Sequence, residues 1–163
     1  MGLASSAVVA TWLTVLVTVE PVAASGPPAV AQFGASIEEL TDRLGDACAS
    51  LVRRADVPPS LPTARQDQVR FDCDGLDFAG RPRSAAFVFG DGRLDMVAIA
   101  TDPDERAGFI GTFTELYGPP AEGIGALTMF LDAGAGVSDE PSQVFFMSDR
   151  LVRHYRLFMS FAR

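Results

Sequence analysis

A chain of 163 residues holds one domain of ordinary size, and its hydrophobic fraction of 48% is raised by the uncharged run over residues 2–19 rather than by an unusual core. All 13 basic residues are Arg, with neither Lys nor Asn present, which excludes Schiff-base chemistry, a P-loop and N-glycosylation sequons. The net charge of −8, or −7 once a leader carrying Glu20 is removed, sets nucleic acid aside as a partner, because phosphate binding is driven by basic surfaces.

Leu3 to Val19 reads LASSAVVATWLTVLVTV and is followed by Glu20, Pro21 and small residues, the order of the apolar and cleavage regions of a secretory signal. Small-x-small sites end at Ala24 and at Ala31, and the first stands at the better distance from the apolar run. Residues 1–24 are therefore expected to be a signal peptide, with a cut after residue 31 as the alternative. The segment ahead of the run carries no Arg, and the run is at the lower limit for spanning a bilayer, so a membrane anchor over residues 3–19 is the competing reading. Residues 25–34, rich in Pro, Gly and Ala, read as a flexible link, which places the domain over 35–163.

Ser36 and Glu39 form a capping box ahead of Ile37, Leu40 and Leu44, so a helix is expected to start there and to stop at Gly45. Cys48 and Cys73 are the only cysteines; in an exported chain the pair is expected to form a disulfide, against the alternative of two buried thiols. Pro58, Pro59 and Pro62 then demand an extended surface connection. From Gln68 the period becomes two, with Val69, Phe71 and Cys73 on one side and Arg70, Asp72 and Asp74 on the other. Turn residues over 79–82 and at Asp91 and Gly92 separate strands at Ser84 to Phe89 and Arg93 to Thr101, completing an antiparallel meander. In the third strand Leu94, Met96 and Ala98 are assigned to one face and Val97 and Ile99 to the other, so that strand is expected to be central.

Asp102, Pro103 and Glu105 mark a helix start, Phe109, Ile110, Phe113, Leu116 and Tyr117 its apolar stripe, and Gly118 its end. Two weaker strands, Ala126 to Leu131 and Gln143 to Met147, flank a loop rich in Gly and acid. Ser148 caps a last helix from Asp149 to about Phe161 that gathers Leu151, Val152, Tyr155, Phe158, Met159 and Ala162 on one broad face. Leu157 and Phe161 fall on the opposite face among Arg150, Arg153 and His154, and these five residues are the expected partner surface.

Chemistry is harder to find than architecture. His154 is the only histidine and has no second one with which to share a metal; no G-x-S-x-G elbow is present, and the EF-hand order is missing around Asp72, Asp74 and Asp77. Arg70, Arg81, Arg83 and Arg93 are expected to pair with nearby Asp residues on the solvent face of the meander. No catalytic, cofactor-binding or metal-binding residues are assigned, and no cofactor is expected. The sequence therefore predicts a small α+β domain, an antiparallel meander packed with two or three helices, in an exported, non-catalytic module of the periplasm or cell exterior that binds a protein or a ligand. The rival classes are a small exported hydrolase and a membrane-anchored accessory subunit.

Overall fold

The computed structural model describes residues 26–55, 58–124 and 126–161, except for the side chains of residues 122–124, 158, 159 and 161. The expected signal peptide, and the alternative anchor over residues 3–19, lie outside the described residues. Among those described, no helix is long and apolar enough to cross a membrane.

The chain is one α+β domain built on an antiparallel sheet. Helix α1 (Ile37–Ala47) leads into strands β1 (Ser50–Arg54), β2 (Gln68–Phe78), β3 (Arg81–Gly90) and β4 (Arg93–Ala100). After a 3-10 turn at Pro103–Glu105, helix α2 (Arg106–Tyr117) leads into β5 (Ala121–Ile124), β6 (Leu127–Phe130), β7 (Ala135–Ser138) and β8 (Gln143–Met147), and helix α3 (Asp149–Phe161) closes the chain. The strands form one eight-stranded sheet in the order β1-β2-β3-β4-β8-β7-β6-β5. Each half is thus a helix followed by a four-stranded meander, and the halves join where β4 pairs with β8.

The hairpins follow from turn chemistry. Ala79 and Gly80 have φ of 56° and 71°, and Asp91 and Gly92 have 50° and 75°. Positive φ at both central residues belongs to the two-residue turn whose twist suits a hairpin, so Phe78 faces Arg81 and Gly90 faces Arg93. Arg81 and Pro82, expected in the turn, already belong to β3. Asp91 also accepts the amide of Gln66 at 2.8 Å, which holds its carboxyl below the usual range and pins the proline-rich connection. That connection stays against the sheet because Gln68 is buried and its Oε1 accepts the amides of Ser60 and Leu61 at 2.9 and 3.0 Å.

The two faces of the sheet have different cores. Beneath α1 and α2, Leu40, Leu44, Phe109 and Phe113 pack on Phe71, Phe87, Phe89, Val97, Ile99, Val144 and Phe146. On the opposite face α3 contributes Leu151 and Val152, which pack with Val88, Ala98, Met129, Phe145 and Met147. A disulfide joins Cys48, the C-cap of α1, to Cys73 of β2, with Cα atoms 5.5 Å apart and both residues buried. Closing a loop with a sequence separation of 25 stabilises the fold by about 3 kcal/mol on chain-entropy grounds.

Several local expectations are corrected. Helix α1 does not stop at Gly45 but runs to Ala47, because the helical bond from the Cys48 amide to the Leu44 carbonyl (3.0 Å) delivers the cysteine to its bridge. β1, β5 and β7 were not legible as strands; β7 lies within the loop expected to be irregular, and all of its residues are buried. Leu94 is not on the face of Met96 and Ala98. A β-bulge leaves Asp95 as an extra residue between the pairs Phe89–Leu94 and Val88–Met96, which turns Leu94 into the core beneath α1 and α2. Of the flexible link expected over residues 25–34, residues 26–34 lie along the domain: Val30, Ala31 and Phe33 pack on that core, and the Gly34 amide donates to the Leu94 carbonyl at 2.9 Å.

Candidate functional site

One row of paired residues, traced strand by strand across the face opposite α1 and α2, runs Val52, Asp72, Ala86, Ala98, Phe145, Gly136 and Met129. On the β8-β7-β6 side the row is Phe145, Gly136 and Met129, and α3 packs on this face against β8 and β4. Toward β1 the row continues through buried Ala98, half-buried Ala86 and Asp72, and exposed Val52. The step from Ala86 and Ala98 up to Phe145 leaves an open groove of about 450 Å³, with Ala100 and Gln143 at one end and Arg54, Arg70 and Asp72 along one wall.

The wall is a charge cluster whose fixed core is the Arg70–Asp72 pair. Arg70 grips Asp72 with two nitrogens, at 2.7 and 3.2 Å, and Arg54 adds its Nε at 3.1 Å. Partial burial works to raise the carboxyl of Asp72, but the hydrogen bonds from Arg70 and Arg54 outweigh it and hold the group below the ordinary value. Asp74, two residues along the same face, accepts the hydroxyls of Ser84 at 2.6 Å and Ser50 at 3.3 Å and has no cationic partner among the described residues.

Helix α3 lies on the same face of the sheet, while the groove itself is lined by strand residues alone. Ser148 caps the helix, accepting the Leu151 amide at 3.1 Å while donating to Asp95 Oδ1 at 2.6 Å. Arg150 closes on the same buried carboxylate, with Nε at 3.2 Å from Oδ1 and Nη2 on Oδ2, and Nη2 also donates to the Gly90 carbonyl at 2.7 Å. The β4 bulge is what aims Asp95 there. At the other edge of the helix Arg156 reaches Asp132 at 2.6 Å, and between the two edges burial pushes the Tyr155 hydroxyl up.

Arg150, Arg153, His154 and Leu157, four of the five residues expected to form a partner surface, line one depression of about 230 Å³ on α3; the side chain of Phe161 lies outside the described residues. Leu157 is 57% exposed. Arg153 is exposed and His154 half-buried, while Arg150 is committed to Asp95 and anchors the helix. His154 and Leu157, four and seven residues on from Arg150, share its edge of the helix.

Arg83 departs from expectation. It is buried on the other face, gives Glu105 two hydrogen bonds at 2.7 and 2.8 Å, and stands 5.7 Å from the Phe109 ring. Arg70 does pair with a neighbouring Asp, and Arg93 bonds the Gly34 carbonyl at 3.0 Å. Among the described residues, no three His, Cys, Asp or Glu side chains gather as a metal-ligand set, and His154 makes no hydrogen bond. The groove could not be read from the sequence, because its floor is a pairing of single alanines from separate strands.

No protein-family model matches the chain, and no curated protein or solved structure shows detectable similarity to it. What the site can do must be argued from its own geometry.

Proposed function

We propose that this chain is an exported binding module that engages a partner protein across the open face of its sheet, with the alanine-floored groove as the contact surface. The observation that carries the reading is the open groove floored by the small residues Ala86 and Ala98, with the Arg70–Asp72 ion pair along its wall. Small-molecule sites are enclosed and mostly apolar. This groove is open and mixed in charge, which suits an apolar projection of a protein framed by polar contacts. Export is supported by the apolar leader pattern, and the buried disulfide favours an oxidising compartment.

The test is capture from an extract of the cell envelope on immobilised mature protein. The wild type and Arg43→Ala, an exposed position on α1, are expected to retain the same specific partner, whereas Ala86→Arg, which fills the groove with a charged side chain, loses it. A partner set that survives Ala86→Arg in a variant of native circular dichroism refutes the assignment of the groove.

A further inference from the structure

We propose that two copies of this chain pair through their β1 strands, antiparallel about a two-fold axis at Val52, so that the two sheets join edge to edge. The inference concerns the sheet edge and stands whether or not the groove binds a partner. Among the described residues β1 is the terminal strand of the sheet, its register with β2 is unbroken from Ser50 to Arg54, and no strand lies beside its outer edge. Such an edge is a template for another chain. Val52, 44% exposed, stands in the middle of its five residues.

The pairing is self-complementary. A two-fold axis at Val52 sets each Val52 against its counterpart, Ser50 against Arg54 of the second copy, and Leu51 against Arg53 of the second copy. Neither arginine meets another directly. Ser50 is small, and beyond it in the register lies Asp74, which holds only the hydroxyls of Ser84 and Ser50. The two strand steps, about 4.8 Å each, are within reach of an extended Arg54 from the second copy. Arg54 is free to turn outward because it gives Asp72 only its Nε, and Asp72 keeps the two-nitrogen grip of Arg70. The axis stands perpendicular to the sheet, so both grooves fall on the same side of the joined sheet.

A five-residue ladder is a small interface, so the dimer is expected to be weak and concentration-dependent. Sedimentation velocity of the mature protein between roughly 1 and 200 µM should show a monomer converting to a dimer. Arg54→Asp and Asp74→Arg should each weaken association by about tenfold or more, and the two together should restore it to within about threefold. Val52→Cys should form an intermolecular disulfide on oxidation, while Leu157→Cys should not. Ala86→Arg, which tests the groove, should leave dimerisation unchanged. A chain that stays monomeric throughout this range overturns the proposal, and so does a dimer indifferent to both charge reversals or one that fails to cross-link at Val52→Cys.

Discussion

Replacing Arg150 by Met removes the guanidinium that closes over a carboxylate only 1% exposed. In the native protein Asp95 accepts from Ser148 at 2.6 Å and from two nitrogens of Arg150, and Arg150 also satisfies the Gly90 carbonyl at 2.7 Å. Arg150→Met leaves Asp95 with one hydroxyl donor and strips the Gly90 carbonyl as well. Orphaning one member of a buried ion pair costs about 3–5 kcal/mol. The Arg150 side chain is itself 34% exposed, so water can partly replace it, and the lower end, about 3 kcal/mol, is expected. That is a large share of a stability of about 5–15 kcal/mol. Urea unfolding followed by far-UV circular dichroism reads the loss. Asp95→Asn combined with Arg150→Met removes the stranded charge and should recover about half of it. A loss below about 1 kcal/mol in Arg150→Met, or a double variant no more stable than the single one, would refute the reasoning that this pair, rather than apolar contact alone, fastens α3 to the sheet.

Two further predictions follow from buried contacts. Arg83 hydrogen-bonds Glu105 and holds its carboxyl at about 2, below the ordinary 4.5. A depressed carboxyl stabilises the fold above its unfolded value, and that contribution fades as pH falls from about 4.5 towards 2; by linkage it amounts to about 3 kcal/mol. Glu105→Gln should therefore be less stable at pH 7 by roughly that amount and should flatten the acid limb of the stability curve, and an unchanged limb would contradict the assignment. Gly136 faces Phe145 across the β7–β8 ladder, and a Cβ there would lie 2.3 Å from Cζ of the ring. Gly136→Ala should cost about 1–3 kcal/mol by displacing that ring, visible as a lower thermal midpoint; a fully tolerated alanine would show that the ring is not packed on the strand.

Much of the architecture is legible locally, and its failures have local causes too. The capping box at Ser36, the Asp91–Gly92 turn, Pro103 and Ser148 each act within one turn of chain, and the elements they announce are present. β1 escapes notice because SLVRR is short, carries two charges and directly follows a helix. β7 escapes because AGVS reads as loop composition, yet Gly136 is required there by the Phe145 ring. Arg150 looks like one more polar residue on an outward face. Only a bulge 55 residues earlier in the chain, at Asp95, turns it into an anchor.

Capping, turn geometry and hydrophobic period are properties of neighbouring residues, and they were enough for the α+β class, the meander, the end of α2 and the span of α3, while α2 begins at Arg106, after a 3-10 turn, rather than at Pro103. Tertiary structure alone decided the eight-strand order, the burial of Arg83 with Glu105, and the groove at Ala86 and Ala98. Those depend on which residues meet across strands far apart in the chain, and a one-residue bulge is enough to exchange the side chains presented to each face.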